Sequence, residues 1–281
     1  MASAKAANKS PLAGCLVGML VAIITTSASA ELELPQADSA LQEIFDGRPP
    51  KNPKELRAME AHITQLAEAV SECTVSVRYK SAHGSGVLVS RDGIVLTVAH
   101  VVGQPNQIVE VRFADGRVVQ GRSLGMHREL DAGLVQLLES GPWNHLQLAK
   151  QKKPPLGLWC AAIGHPGGYD QKRGPVFRLG RVLSAGELIR TDCQLVGGDS
   201  GGPLVDMKGQ VIGIHSRIGV SLSTNLHVPI HTFRSHWDEL VDGKLWRSKA
   251  FIGLRGESDT TTPRVALVHD NSPAAQAGIR I

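Results

Sequence analysis

Gly197-Gly198-Asp199-Ser200-Gly201-Gly202-Pro203-Leu204 surrounds one serine with glycines. Glycine lacks a Cβ, so this backbone is free to point the N–H groups of Ser200 and Gly198 at one spot. Two such donors form an oxyanion hole, which stabilises the negative charge that develops on a carbonyl oxygen under attack. A bare Gly-x-Ser-x-Gly pattern is equally typical of a turn. The stretch therefore predicts a nucleophilic Ser200 only if the chain also supplies a base and a carboxylate to orient it.

Both groups are found upstream. His100 ends an apolar run that begins at Ile94, and Asp131 opens the apolar run that continues to Leu138. A buried acid needs a partner for its charge, and a histidine N–H is one. Two other acids are weaker candidates, because Asp115 and Asp92 each precede a glycine in a predicted turn. The expected triad is Ser200 as nucleophile, His100 as general base and Asp131 as the group that orients the imidazole.

Composition limits the classes of protein that fit. The 281 residues are 42% hydrophobic with 30 glycines and 4% aromatic side chains, which is typical of a globular, turn-rich protein. Lysine and arginine are scattered, and the net charge falls from +4 to +2 if Lys5 and Lys9 are removed with a leader. A nucleic-acid partner is therefore not expected. No His, Cys and Asp cluster has metal-ligand spacing, so we expect neither metal nor cofactor.

The first thirty residues have the pattern of a secretory signal peptide. Lys5 and Lys9 precede an apolar run from Leu12 to Ile24, and a small-residue cleavage site ends at Ala30. The apolar run is short for a membrane span, so a membrane contact is expected only if this segment is retained. Cys15 resembles a lipoprotein cleavage site, but the apolar run follows it instead of preceding it. We expect a secreted or periplasmic protein cleaved after Ala30.

Between the leader and the catalytic region, residues 31–71 are predicted to form a flexible leader and one amphipathic helix. Residues 31–51 are polar and contain prolines, whereas Asn52-Pro53-Lys54-Glu55 has the residues of a helix start. Apolar residues then recur at helical spacing up to Val70, which predicts a helix packed on the domain or on another subunit.

From Cys73 onward the hydrophobic period changes to two, which indicates strands. The predicted strands are residues 74–79, 84–90, 94–98, 108–113, 118–119, 132–138, 176–183, 187–191 and 210–216. Many short strands separated by Gly and Asp turns favour antiparallel barrels.

The motifs together resemble the trypsin-like (chymotrypsin-fold) serine proteases. The resemblance rests on residues 197–204 and on Thr97-Val98-Ala99-His100. Two further motifs are similar to the HtrA branch of that family: Gly84-Ser85-Gly86-Val87 and Ala162-Ile163-Gly164-His165-Pro166. It implies an all-β fold of two six-stranded antiparallel barrels, with an N-terminal helix, a C-terminal helix at residues 231–241 and the catalytic groups in the cleft between the barrels. It also implies an endopeptidase that acts on unfolded or extended polypeptides in protein quality control, and a homotrimer.

The resemblance suggests substrate-binding residues as well. Residues 210–216, which include His215 and Ser216, are similar to the strand that pairs with an extended substrate, and binding would then be strand addition. Ser216 matches a position where the family places a hydroxyl near the catalytic acid. Gln194 lies where the family has the base of its specificity pocket, and the absence of an acid there predicts a preference for a small or medium uncharged side chain. His165 lies in a loop and is not expected to be the catalytic base.

The protease domain is expected to span residues 72–244, followed by a partial PDZ domain at residues 249–281. Phe251-Ile252-Gly253-Leu254 resembles the carboxylate-binding loop of a PDZ domain, and residues 271–279 resemble its following helix start. About 30 residues are too few for a complete core, so this segment is not expected to fold alone.

Two departures from the HtrA pattern stand out. Asp199 precedes the serine where HtrA proteins usually have Asn, and the sequence identifies no partner for it. Either an Arg or Lys nearby pairs with it, or the oxyanion loop stays adjustable and activity depends on a trigger. Cys73, Cys160 and Cys193 remain after leader removal, so at most one internal disulfide can form, and the sequence leaves all three pairings open.

Three functions fit these motifs. A serine endopeptidase is favoured because the triad and the oxyanion glycines are all present. A catalytically silent protease-fold module that binds peptides or acts as a chaperone is the alternative, and an esterase with the same acyl chemistry is the third.

Overall fold

The computed structural model describes residues 32–219, 224–246, 254–256, 264–268 and 272–280. Two closed antiparallel barrels of six strands each make up most of it, as predicted. Among these residues, no helix is both long and apolar enough to cross a membrane. The predicted signal peptide lies outside the described residues.

The first barrel carries two of the three predicted catalytic residues. Its strands are β1 (Thr74–Tyr79), β2 (Ala82–Leu88), β3 (Ile94–Thr97), β4 (Ile108–Arg112), β5 (Val118–His127) and β6 (Ala132–Leu137). Pairing of β5 with β6 closes the sheet. Alternation places Val75, Val77, Val109 and Val111 in the interior, where they are almost fully buried.

The second barrel has the order β10-β11-β12-β9-β8-β7 and supplies the predicted nucleophile. Its strands are β7 (Trp159–Gly164), β8 (Val176–Ala185), β9 (Ile189–Thr191), β10 (Pro203–Asp206), β11 (Val211–Ile218) and β12 (Asn225–Pro229). A two-residue strand, β13 (Leu245–Trp246), adds to the first barrel by pairing in parallel with β5. The chain therefore returns to the first barrel after completing the second.

The expected flexible leader is wrong at residues 39–45, which form a helix, α1 (Ser39–Phe45). Asp38 caps it by accepting a hydrogen bond from the Leu41 N–H at 2.8 Å, and Ile44 and Phe45 are buried. The predicted amphipathic helix is confirmed as α2 (Pro53–Cys73), with Asn52 as its N-cap. Met59, Leu66 and Val70 of α2 join the same hydrophobic core, so the helix packs on the domain.

A short helix, α3 (Ala99–Val102), follows β3. The predicted single helix at residues 231–241 is instead two, α4 (Ile230–Ser235) and α5 (Trp237–Val241), because His236 leaves the helical conformation at φ −120°. Beyond them lie a hairpin of β14 (Leu254–Gly256) with β15 (Val265–Val268) and a helix, α6 (Pro273–Gln276), capped by Ser272. Residues 251–253 and Asn271 of the predicted PDZ motifs lie outside the described residues, so the partial PDZ domain stays a prediction.

All three remaining cysteines are buried thiols with no disulfide between them. Cys160 Sγ lies 3.9 Å from Cys193 Sγ. Burial raises the pKa of the Cys73 thiol to about 12, so this thiol stays protonated at neutral pH.

Candidate active site

The end of β3 and the short helix α3 hold His100 at the edge of the first barrel. Its side chain is half exposed, and its Nδ1 lies 3.0 Å from both carboxylate oxygens of Asp131. The His100 backbone N–H also donates to Asp131 Oδ1 at 3.2 Å. The backbone contact holds the carboxylate, and the Nδ1 contact orients the ring. When Nδ1–H donates to the carboxylate, Nε2 is free to accept a proton.

Asp131 lies directly before β6 and is almost fully buried. Its backbone adopts φ +54°, a left-handed conformation that is uncommon for residues other than glycine. Ser216 Oγ donates to Asp131 Oδ2 at 2.6 Å. Because a buried carboxylate is costly unless its charge is compensated, the donors from His100 and Ser216 together explain how this acid is accommodated.

Ser200 comes from the second barrel, in the turn that precedes β10. Its carbonyl accepts a hydrogen bond from the Ser85 N–H at 2.7 Å, which joins the turn to β2 of the first barrel. Its Oγ donates to the Ser216 carbonyl at 3.4 Å, and no hydrogen bond within the described part of the chain joins it to His100. His100, Ser200 and Ser216 nevertheless border one cleft of about 300 Å³. Catalytic hydrogen bonds are often loose before substrate binds.

The turn around Ser200 leaves three backbone N–H groups without an acceptor among the described residues, those of Gly197, Gly198 and Ser200. Asp199, Gly201 and Gly202 donate their N–H groups to the carbonyls of Val196, His215 and Asp199, respectively. Across the described residues, no acceptor is found for the N–H of Gly198 or Ser200. Gly198 has φ +98°, and a Cβ there would lie 2.5 Å from the His165 carbonyl oxygen, so only glycine fits. The two donors expected for the oxyanion hole, Gly198 and Ser200, are thus free of other acceptors.

Ser85 is a contributor that the sequence motifs did not single out as a site residue. Its buried Oγ donates to the Gly198 carbonyl at 2.8 Å and accepts from the His165 N–H at 2.9 Å. It therefore fixes the orientation of the peptide group that follows Gly198. Ser85 and Gly198 are 113 positions apart in sequence, and only the packing of the two barrels brings them together.

Asp199 is completely buried, and the expected basic partner is Arg178 of β8. The Arg178 guanidinium lies 3.2 Å from Asp199 Oδ2, and the same oxygen accepts the Val196 N–H at 2.8 Å. Burial raises the pKa of the Asp199 carboxyl, while the Val196 N–H and the Arg178 charge lower it in part.

Two predicted substrate-binding residues, Gln194 and His215, differ in their position relative to the cleft. Gln194 is exposed and does not border the cleft, where the neighbouring Leu195 lies instead. The His215 ring is buried in the second barrel, and its backbone N–H and carbonyl are already bonded to Gly202 and Gly201. His215 contributes only to the wall of the cleft, whereas Ser216 both borders it and bonds Asp131.

His165 does not border the cleft either, which agrees with its exclusion as the base. Its ring is fully buried, and neither ring nitrogen has a hydrogen-bond partner among the described residues. Burial lowers the pKa of His165 to about 4.

Sequence comparison agrees with this geometry. Residues 84–214, which include all three predicted catalytic residues, match the family described as trypsin-like peptidase domain. The chain carries a trypsin-like peptidase domain. A curated relative from Pseudomonas putida strain GB-1, described as "Probable periplasmic serine endoprotease DegP-like", is 32% identical over 218 residues. That alignment covers 70% of this chain and 45% of the relative.

Two further similarities extend the match of the peptidase domain. A relative from Marinomonas sp. strain MWYL1 with the same description is 30% identical over 223 residues, which cover 72% of this chain and 47% of the relative. The crystal structure of the serine endoprotease from Yersinia pestis superposes with a TM-score of 0.59 at 25% identity, covering 78% of this chain and 79% of that one. The chain spans about half the length of the curated relatives it matches.

Proposed function

We propose that this chain is a serine endopeptidase that hydrolyses peptide bonds through Ser200, His100 and Asp131. The observation that carries the proposal is the shared carboxylate: Asp131 bonds His100 Nδ1 from one barrel and Ser216 Oγ from the other. This contact orients the imidazole beside the cleft that Ser200 borders. A buried acid that positions a half-exposed histidine near a serine is the arrangement that acyl transfer requires.

In the proposed mechanism, Ser200 Oγ turns from the Ser216 carbonyl toward His100 Nε2 and attacks the substrate carbonyl carbon. His100 accepts the hydroxyl proton, and the carbonyl oxygen becomes an oxyanion held by the Gly198 and Ser200 N–H groups. Collapse breaks the C–N bond, and His100 gives its proton to the leaving amine. Water then attacks the acyl-enzyme with His100 again as base, releasing the acid and restoring Ser200. Asp131 stabilises the imidazolium throughout.

The cleft supports an extended polypeptide as substrate. Ser216 and Ile218 at the end of β11 border it together with the apolar side chains of Leu195 and Val196. Among the described residues, the acidic side chain that lines it is the buried Asp199, and Arg217 is a basic one. The described walls therefore offer no exposed carboxylate to a lysine or arginine substrate. An uncharged small or medium side chain next to the cleaved bond fits these walls.

The curated relatives named above are described as periplasmic, which supports a periplasmic over a secreted location for this chain after removal of residues 1–30. A role in protein quality control and a homotrimer are proposed on the resemblance of the sequence motifs to the HtrA branch. Detection of the protein in an osmotic-shock fraction, with an N-terminus at Glu31, would test the location. A monomer in sedimentation would contradict the trimer.

A catalytically silent peptide-binding module is the alternative, and one observation favours it: Ser200 Oγ is bonded to the Ser216 carbonyl and not to His100. An esterase would use the same groups. Comparing a peptide ester with the matching amide separates it, because hydrolysis of the ester alone would contradict the endopeptidase.

The decisive experiment is fluorophosphonate labelling of the mature chain beside Ser200→Ala, followed by intact mass and casein digestion. The probe reacts with a serine that is activated by its base and oxyanion hole. We expect one adduct and casein cleavage, both lost in Ser200→Ala. A folded chain that neither labels nor cleaves, with or without unfolded protein present, would establish the binding module instead.

A further inference from the structure

Asp199 is a completely buried acid directly before the proposed nucleophile, and the acyl-transfer mechanism gives it no chemical role. Buried carboxylates are retained only with a compensating charge or several donors, so its position calls for an explanation. A role for Asp199 in holding the same site in its working conformation would explain it, and that role rests on the proposed function.

The Asp199 side chain closes the turn that presents the oxyanion donors. The Asp199 N–H donates to the Val196 carbonyl at 3.1 Å, and Asp199 Oδ2 accepts the Val196 N–H at 2.8 Å. This reciprocal pair ties residue 196 to residue 199, and Gly198, with φ +98°, lies inside the closed turn. If the carboxylate left its position, the turn would lose the bond that fixes the Gly198 and Ser200 N–H groups.

The position of the carboxylate depends in turn on Arg178. Among the described residues, Arg178 is the cation within ion-pair distance of Asp199, at 3.2 Å, and 19% of its side chain is exposed. Asp199 Oδ1 has no hydrogen-bond partner in the described chain, so the second oxygen contributes no compensating bond. The Asp199 side chain has space because residue 164 is glycine: a Cβ at residue 164 would lie 2.7 Å from Asp199 Oδ1.

We propose that Arg178 and Asp199 form a built-in activating ion pair, in which Arg178 is the positioning residue that holds the oxyanion turn in its functional conformation. Because the cation comes from β8 of the same barrel, the turn forms without a charge delivered by cleavage elsewhere in the chain. Neither residue contacts the reacting atoms.

The ion pair compensates the negative charge of the buried Asp199 carboxylate. The other charged or titratable groups facing Asp199 are Arg173, from the loop before β8, and the buried His215, which lies beside the same turn. Without Arg178, an ionised Asp199 is expected to leave its buried position. Either protonation of Asp199 or its replacement by Asn should allow the side chain to stay.

The test is a double-mutant cycle on the full chain, using Arg178→Gln, Asp199→Asn and the combination of both. Arg181→Gln is the matched control, because Arg181 lies on the same strand and stacks on Trp159, 4.1 Å from the ring centre. The readouts are the rate of fluorophosphonate labelling between pH 6 and 9 and the urea midpoint of unfolding. Losing one oxyanion donor costs about 10²–10³ in rate, which sets the scale of the expected effect.

We expect Arg178→Gln to slow labelling at pH 8 by at least about tenfold, with the roughly 10²–10³ for complete loss of an oxyanion donor as the upper limit. The labelling rate of Arg178→Gln relative to the wild type should rise as the pH falls. Adding Asp199→Asn to Arg178→Gln should restore most of the rate, and Arg181→Gln should label like the wild type. If Arg178→Gln does not fold, Arg178→Lys, which keeps the cation, and the double variant are expected to fold and label.

Several results would overturn the proposal. One is an Arg178→Gln variant that labels like the wild type at every pH, and another is a folded double variant that labels no faster than Arg178→Gln. A change in the urea midpoint without a change in labelling would make the pair structural only. A wild type that labels but cleaves no peptide would refute the endopeptidase, while the effect of Arg178 on labelling would still be measurable.

Discussion

At the scale of single residues, Ser85 shows how a small side chain of the first barrel controls a turn of the second. Replacing Ser85 by Ala leaves the buried His165 N–H and the Gly198 carbonyl without their 2.9 Å and 2.8 Å partners. An unsatisfied buried polar group costs about 1–3 kcal/mol. We expect Ser85→Ala to lower the free energy of unfolding by about that amount and to slow fluorophosphonate labelling.

The control for Ser85 is its direct cross-strand neighbour, Ser76. Ser76 is also buried, but its Oγ makes one long hydrogen bond, 3.4 Å to the Gly84 carbonyl. Ser76→Ala should therefore change stability less and leave labelling unaltered. Equal effects of the two substitutions, measured by urea unfolding and labelling, would contradict the positioning role of Ser85.

Local sequence predicts some of these residues and not others. Ser200, His100 and Asp131 each lie in a short pattern that has a chemical meaning by itself, so they could be found without a structure. Arg178 lies in an ordinary strand pattern, and Asp199 left open whether a cation pairs with it or the oxyanion loop stays adjustable. Ser85 contacts Gly198 across the two barrels, and His215 contacts His227 across neighbouring strands of the second barrel. Strand and barrel packing, not local pattern, determines those contacts.

At the scale of elements, the nucleophile turn and β2 are packed backbone against backbone at Gly201. Gly201 has φ +92°, and a Cβ there would overlap the Ser85 carbonyl oxygen and Thr97 Oγ1. Gly174 has a similar φ, +67°, but a Cβ there would meet nothing within 4 Å. Replacing either glycine by alanine therefore costs free energy for the positive φ. Only at Gly201 would the new Cβ also overlap neighbouring atoms.

Gly201→Ala is expected to destabilise the fold by several kcal/mol, whereas Gly174→Ala should cost about 1 kcal/mol, the effect of a positive φ alone. Thermal unfolding of both variants measures the difference, and labelling should be lost in Gly201→Ala only. Similar melting temperatures for the two variants would show that the barrels can separate at this contact without loss of stability.

Helix α1 shows why sequence reasoning failed at the N-terminus. Its seven residues are too few for helical periodicity to be distinguished from chance, and prolines flank it. Its stability comes from tertiary contacts: the Phe45 ring packs 4.8 Å from the His62 ring, and His62 Nε2 lies 2.7 Å from the Met207 carbonyl of the second barrel. The pattern of α2, by contrast, extends over 21 residues and could be recognised from sequence.

At the scale of the whole molecule, buried neutral histidines connect stability to pH. In the second barrel, the Ile163 carbonyl lies 3.2 Å from His215 Nε2, so this nitrogen carries the proton. His215 Nδ1 then accepts from His227 Nδ1 at 2.9 Å, and His227 Nε2 accepts from the Thr191 hydroxyl at 2.8 Å. Every ring nitrogen of the pair has one role, and a proton added to His215 Nδ1 would place two N–H donors face to face.

Burial accordingly lowers the pKa of His227 to about 3, that of His165 to about 4, and that of His215 well below its usual value of 6.5. Below pH 6.5 the unfolded chain binds protons at these positions and the native chain does not. Stability is therefore fully present above pH 6.5 and falls as the pH drops toward the native pKa values. Each such histidine contributes a loss of up to about 1.4 kcal/mol per pH unit in that window.

The buried acids Asp199 and Asp206 act in the opposite direction, because burial raises the pKa of each carboxyl and the native state then holds its proton more tightly. A comparison of variants removes this contribution, since it is common to all of them. Urea unfolding at pH 7, 6 and 5 should give a shallower pH dependence for His227→Gln than for the wild type, by about one proton. His83→Gln, at an exposed histidine, should leave the dependence unchanged, and equal slopes for all three proteins would show that the buried pair is already protonated in the native state.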